Sequence, residues 1–273
     1  MALSESAAED IAAAIGSLFP HLPFLVLPPW DCLPYDRLPP SPHCMGRRMD
    51  VLRLWRSPAD TPRLLVTSLE AMLQRVPPAS VIENSKFDLT VGKPFDHTAF
   101  SQFVRQTGYI EEGVADDPGE LVMREGVVDI FPAGAPGPLR IVLSGNNQVE
   151  ELRGFDRVSQ RTENSLERVT LGPASEAILI DAEQEGAAPR SLTMEHLLCR
   201  LYEKMPSVFE VLGDTIIHLA PDSETRVQRF FDIIEDAHQS RNDRADTDIG
   251  SAQSFYLKPT EWHRYARAMH ADG

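Results

Sequence analysis

LVMREGVVDIFPAG, Leu121–Gly134, is the stretch on which the reading of the fold turns. It has the β-branched and apolar residues of a strand, yet Arg124-Glu125-Gly126 interrupts them. In one continuous strand Arg124, Gly126, Val128 and Ile130 share a face, with Met123, Glu125, Val127, Asp129 and Phe131 on the other. Each face then mixes charge with apolar groups. A break or bulge at Gly126 removes the conflict, because glycine in a strand pattern marks such places. Arg124 and Glu125 then stand at the entry to a buried strand, and the default for such an arginine is a solvated position.

Further short strand patterns surround this one: LVM, GVVDIF, LRIVL, VEELRGF and ERVTL. The Pro- and Gly-rich Pro132–Pro138 joins two of them as a hairpin loop. Upstream, FDLTV reads as a strand and TAFSQFVRQTG as a helix closed by Gly108. Residues 85–172 therefore form a β-rich α+β unit.

The flanks read as α/β. In residues 1–84, Ser6-Ala7-Ala8-Glu9 has the capping-box pattern, with Ile11, Ile15 and Leu18 at one-face helical spacing. Phe24–Leu27 and Leu64–Val66 are strand-like, and Ser68 is placed to cap the helix LEAMLQRV. Between the strands, PPWDCLPYDRLPPSP is too proline-rich for regular structure. Met45, Met49 and Leu52 mark a helical stripe, with Arg47, Arg48 and Arg53 taken to lie off it. In residues 173–273, AILID, DTIIHLA and SFYL read as strands, AEQEGAAPR as a linker, and MEHLLCRLYEKM and 223–243 as helices. Pro259 opens a last helix through Trp262 and Tyr265. Strands alternating with helices imply a largely parallel sheet.

The chain has 273 residues and a formal net charge of −15. That balance opposes a broad phosphate-binding surface, which rests on clustered Lys and Arg. Cys32, Cys44 and Cys199 have no framework spacing and read as reduced thiols of a cytoplasmic protein. The acidic MALSESAAED is unlike a secretory signal, and no apolar run approaches the roughly 18 residues of a membrane span.

Candidate chemistry is sparse. Neither Leu27-Pro28-Pro29 nor Thr67-Ser68 has the glycines that surround a phosphate, and Gly92-Lys93 lacks an upstream glycine. No nucleotide or other cofactor is expected. His196 and Cys199 lie three apart but lack a second pair at zinc spacing, so no metal is expected either. Asp31, Cys32 and Asp36 could suggest a nucleophile with carboxylates. No base completes the set, and aspartates beside prolines organise turns. An enzyme is not expected.

MREGVVDIFPAG followed by LRIVL, VEELRGFD and SQRT resembles the second domain of the UvrB and Mfd (transcription-repair coupling factor) families. Their common pattern is R-G-(apolar)-(apolar)-D/E-I-F-P, then R-(apolar)-x-F-F, F-D and S/T-Q-R. WDCLPYDRLPPSP, RRMDVLRLW and LLVTSLEAMLQRVPP resemble the first Mfd domain, and FYLKPTEW the close of its UvrB-like module. The resemblance implies a vestigial helicase-like domain (RecA-like, P-loop lost) in two parts, 1–84 and 173–273, around the β-rich insert 85–172. It implies recruitment of the repair protein UvrA, without catalysis, through two arginines and an aromatic.

By the motif the arginines fall on Arg124 and Arg140, and the family's two phenylalanines on Leu143 and Ser144. If the strands are unbroken, parity puts both arginines on one face, separated by roughly 20 Å at about 3.3 Å per residue. The sequence departs from the pattern at Glu125, where an Arg–Glu contact would compete with the partner. It departs also at Leu143-Ser144, where the aromatic anchor is lost, and at Gly145-Asn146-Asn147, where the family has an acidic turn.

The resemblance further implies that translocase and polymerase-binding parts lie beyond these residues, and that one early strand is lacking. The chain then reads as an excised segment or a short stand-alone relative. The competing readings are a regulatory scaffold that has drifted from UvrA and, by analogy with UvrB, a DNA-binding module. UvrB's tyrosine-rich hairpin has no counterpart here, and the charge opposes direct DNA contact.

Overall fold

The computed structural model describes residues 1–36, 38–59, 61–157, 161–179, 194–242 and 251–271. The chain divides into two compact units. The first comprises Met1–Pro40, Val51–Ala79 and Leu192–Gly273, and the second Ser41–Asp50 and Ser80–Ser191. Helix and strand labels follow chain order through both.

In the first unit β1 (Phe24–Leu27) and β2 (Leu64–Thr67) pair in parallel, with Phe24 opposite Leu64. Helix α1 (Glu5–Leu18) packs on them through Ala8, Ala12 and Ile15, against Phe24, Val26, Leu64 and Val66. Small side chains let the helix approach two short strands closely. Its buried face is therefore not the Ile11–Ile15–Leu18 stripe, since Ile11 and Leu18 are exposed. Nor does Ser6 cap it: Ser4 is the N-cap, its Oγ accepting from the Ala7 N–H at 3.3 Å.

Helix α2 (Pro42–Arg56) supplies its first part to the second unit and its remainder to the first. Ser68 caps α3 (Leu69–Leu73) as expected, but the helix stops short of Val76. Gln74 and Arg75 are instead drawn into bridges with Tyr256 and Ser207. Arg75 then donates to the carbonyls of Gln253 and Met205 and pairs with Glu261 at 2.7 Å.

The rest of the first unit is helical. MEHLLCRLYEKM breaks into a 3-10 turn and the short α6 (Leu198–Leu201). Then come α7 (Val208–Leu212), α8 (Ser223–Asn242), α9 (Ala252–Phe255) and α10 (Pro259–Ala271). SFYL is not a strand: Phe255 ends α9, and Phe255, Tyr256 and Leu257 are core anchors at 1–3% exposure. DTIIHLA is not one either; its backbone meets Met1, which donates to His218 and accepts from Ala220. Periodicity does not separate such short apolar runs from strands. The AEQEGAAPR linker and the Ser159-Gln160 part of SQRT lie outside the described residues.

The second unit is built on a six-stranded sheet in sequential order. Its strands are β4 (Ile110–Glu111), β5 (Glu120–Arg124), β6 (Val127–Ile130), β7 (Leu139–Leu143), β8 (Val149–Phe155) and β9 (Thr162–Leu166). All neighbours are antiparallel except β4 and β5. The strand FDLTV is β3 (Phe87–Thr90), paired antiparallel with β10 (Arg168–Leu171). Short α4 (Ala79–Asn84) precedes it, and α5 (His97–Thr107) runs from its Asp96 cap to Gly108 in the left-handed region.

One face of the sheet is apolar. Leu121, Val128, Ile130, Leu139, Ile141 and Leu152 form a core with Phe100, Phe103 and Val104 of α5. Alternation puts every second residue of β7 there, and its burial follows that period.

Residues 41–50 and 173–179 join this unit, not the flanking α/β parts. Gly46 touches the Ala133–Gly134 backbone so closely that a Cβ would stand 2.6 Å from the Gly134 nitrogen. Arg48 pairs with Glu176 at 2.5 Å, both fully buried. Arg48 is three residues after Met45 and four before Leu52, so it lies on the helical stripe and not off it. Its partner is 128 residues away. Ala177–Leu179, expected to begin a strand, are irregular.

Candidate functional site

The interruption at Arg124-Glu125-Gly126 is a hairpin. Strand β5 ends at Arg124, the turn is Glu125-Gly126, and β6 begins at Val127, directly opposite Arg124. Gly126 has φ 72°, a conformation that a residue without Cβ adopts freely. Arg124 thus closes one strand; it does not enter the next, and no bulge is needed.

The fold-back decides which side chains meet. Asp129 stands two residues beyond Val127, on the same face as Arg124, and directly opposite Arg140 of β7. Arg140 in turn opposes Arg153 of β8. The face opposite the apolar core therefore carries a row of Arg124, Asp129, Arg140 and Arg153, flanked by Val127 and Val142.

Asp129 organises the row. Arg140 donates to both of its oxygens, Nε to Oδ1 at 2.6 Å and Nη2 to Oδ2 at 2.8 Å. Arg124 Nη1 donates to Oδ2 at 3.1 Å, and its Nη2 reaches the Gly113 carbonyl at 3.4 Å. The Asp129 side chain is 7% exposed, against 54% for Arg124 and 35% for Arg140. Hydrogen bonding to Asp129 holds the Arg140 guanidinium above its ordinary pKa; burial opposes this, and attraction to the same carboxylate adds to it. A bidentate, charge-assisted contact fixes the guanidinium plane as well as its position.

The two arginines are therefore not some 20 Å apart. Both reach one carboxylate, because the chain reverses at Glu125-Gly126 instead of running straight. Their internal counter-ion is Asp129, where sequence had pointed to Glu125. Leu143 is not beside them: it is buried in the core on the opposite face of the sheet. Ser144 lies past the end of β7, where its backbone N–H donates to the Gln148 carbonyl at 2.9 Å.

An aromatic does stand at the row, in a place the motif did not indicate. The Arg140 guanidinium lies over the Phe155 ring, 5.0 Å from its centroid. Phe155 also lines a cavity of about 370 Å³ with His43, Phe131, Pro136, Pro138 and Arg157. Arg153 adds a third cation, paired with Glu151. Sequence alternation held the signal for Asp129, Arg140, Arg153 and Phe155 on one face, but only the strand register aligns them.

The remaining candidates lie elsewhere. Asp36 organises a turn as expected, its Oδ2 accepting from the Leu33 N–H at 2.7 Å. His196 is buried in the 3-10 turn before α6, and Cys199 is a free thiol on α6. Among the described residues no group of three or more His, Cys, Asp or Glu could hold a metal ion. Among them, too, no helix is long and apolar enough to cross a membrane.

Known proteins resemble the stretch that carries this face. Residues 87–176 match the family model of the UvrB interaction domain. The chain is 31% identical over 193 residues to the transcription-repair-coupling factor of Myxococcus xanthus, covering 66% of this chain and 15% of the relative. It is 26% identical over 181 residues to the Bacillus subtilis protein of the same name, with the same coverage. With the Escherichia coli protein identity is 28% over 147 residues, covering 54% of this chain and 12% of the relative. The chain spans about 15% of the length of the first of these relatives. The chain is thus similar to transcription-repair-coupling factors over about two thirds of its length, and the arginine row lies within the residues that match the UvrB interaction domain.

Proposed function

We propose that the arginine-bearing face of the second unit recruits UvrA to sites of nucleotide excision repair. The chain acts as a non-catalytic, cytoplasmic interaction module of the transcription-repair coupling type, and the α/β unit is a helicase-like remnant. The observation that carries this reading is the gathering of Arg124 and Arg140 on an exposed sheet face by one buried carboxylate, within residues 87–176.

The chemistry suits a protein partner. Each guanidinium has five N–H donors. Asp129 engages two nitrogens of Arg140 and one of Arg124. Donors beyond these can meet carboxylates of UvrA while Asp129 holds the forks in place. Pre-ordering lowers the entropy lost on association. Arg124, Arg140 and Arg153 are matched on this face by Asp129, Glu151 and Glu120, so it offers positioned guanidinium donors and no net positive charge. Such a face suits carboxylates of a protein surface and not a nucleic-acid track, which needs clustered unpaired Lys and Arg.

Pull-down of the cognate UvrA tests the reading. Wild type is expected to associate at low salt and weaken as salt rises. Arg124→Gln/Arg140→Gln is expected to lose association. Glutamine is the better substitute, because Arg140→Glu sets a second carboxylate against Asp129 and unfolding would confuse the result.

A second reading, a scaffold relative that no longer binds UvrA, is favoured by Leu143, which is buried in the core and offers no anchor on the arginine face. Absence of wild-type association at low salt selects it.

A further inference from the structure

The first unit holds a crevice of a different character. Strands β1 and β2 end at Leu27 and Thr67, and the chain continues into Pro28-Pro29-Trp30 after one and the Ser68-capped α3 after the other. Ligands of open α/β sheets sit outside the carboxyl ends of parallel strands. A cavity of about 310 Å³ lies there, lined by Trp30, Asp31, Glu70, Gln74, Phe230 and Tyr256, with Glu5 and Asp36 also at its wall.

Its chemistry is the reverse of a phosphate site. Four carboxylates face it and no glycine loop does. Aromatic rings supply the apolar surface, Phe230 and Tyr256 meeting edge to face at 5.3 Å.

Two polar atoms here are buried without a hydrogen-bond partner. Gln74 is 1% exposed; its Oε1 accepts from the Trp30 N–H at 3.3 Å, while its Nε2 donates to nothing. Arg226 places both Nε and Nη2 on Oε1 of Glu70, at 3.2 and 2.8 Å, and leaves Oε2 with no donor. Glu70 and Gln74 are four residues apart along α3 and its C-cap, so they project to one side. A buried donor and a buried acceptor without partners are costly, and one complementary group entering between them can satisfy both.

That group must offer an N–H to Glu70, a carbonyl oxygen to Gln74, a positive charge to the carboxylates and a flat or aliphatic body to the rings. We propose that the crevice binds an arginine-type amino-acyl group, its guanidinium among the carboxylates and aromatic faces and its carbonyl on Gln74 Nε2. The source is a free arginine derivative or an arginine residue of a peptide. This site does not depend on the UvrA reading.

Titration of the whole chain with L-argininamide, followed by calorimetry, tests the proposal. Saturable one-to-one binding is expected, weakened by about tenfold or more in Glu70→Gln, as loss of a charge-assisted contact implies. Circular dichroism checks that the variant folds; if it does not, Asp31→Asn is expected to weaken binding in the same direction. Acetyl-alanyl-arginyl-alaninamide separates the sources: tighter binding of the peptide assigns the site to a protein segment, tighter binding of argininamide to a small molecule. No saturable binding of either probe to wild type up to on the order of 10 mM overturns the proposal. So does affinity unchanged in the folded variant, or preference for inorganic phosphate.

Discussion

Arg48 with Glu176, and Arg124 and Arg140 with Asp129, use the same two side-chain chemistries in one unit for opposite ends. The first pair is sealed, with both side chains at 0% exposure. In the second the carboxylate is sealed at 7% and the arginines are left at 54% and 35%. A sealed pair ties distant chain segments together and offers nothing outward. A grouping with only its anion buried holds its cations in position for something else. Both carboxylates are buried, so it is the exposure of the arginine that distinguishes a presented contact from a structural one.

The largest effect expected from this contrast is at the sealed pair. Arg48→Met leaves Glu176 buried without its guanidinium and should lower stability in urea by about 3–5 kcal/mol. A loss below about 1 kcal/mol, the level of exposed pairs, would erase the distinction between the two groupings. A smaller loss is expected from Asp129→Asn, about 1–3 kcal/mol, because its arginine partners retain water. If Asp129→Asn proves the more damaging of the two, the arginine row is principally structural.

The smallest effect concerns partly exposed carboxylates of the first unit, which calibrate the scale. Burial works against the charged forms of Glu210 and Glu261. Hydrogen bonds from Ser207 to Glu210, and from Lys258 and Arg75 to Glu261, outweigh it, so both pKa values fall below the ordinary 4.5. A lowered folded-state value contributes stability above the unfolded pKa, and the contribution disappears as pH drops through the folded one. Glu210→Gln/Glu261→Gln should therefore be less stable than wild type at neutral pH by no more than about 1 kcal/mol per site. Unfolding curves of the two proteins should converge as pH falls through the lowered folded-state values, which lie below 4.5. A gap that persists there would mean capping geometry, and not charge, makes the difference.

Much of the second unit was legible in the sequence because its strands alternate. LRIVL and VEELRGF show their core faces at every second residue, and PAGAPGP can only be a loop. What alternation lacks is register. Arg124, Asp129 and Arg140 are separate in the sequence, and a reading that ran the strand through Gly126 set the arginines far apart. A two-residue turn brings them onto one carboxylate. The same limit explains Arg48, whose spacing put it on the apolar stripe but whose charge argued it off. Its partner, Glu176, is invisible to local pattern. In the first unit, SFYL and DTIIHLA have strand composition, yet Tyr256 meets Gln74 and His218 meets Met1, pairings that depend on remote segments. At the crevice, the sequence showed the missing phosphate glycines and the Asp31, Cys32 and Asp36 group, but not Glu70, Gln74, Phe230 and Tyr256, which come together there from remote segments.

The central claim is that Arg124 and Arg140 present a surface to UvrA without holding the fold together. The dissociation constant for the cognate UvrA, measured for wild type and Arg124→Gln/Arg140→Gln beside their thermal unfolding, tests it most directly. Affinity is expected to fall by about 2 kcal/mol or more, as for truncated interface anchors, while stability falls by about 1–3 kcal/mol, the range of Asp129→Asn, because the buried Asp129 keeps only amide donors. Unchanged affinity in a folded double variant would contradict the account, as would a loss of affinity seen only where the variant has unfolded.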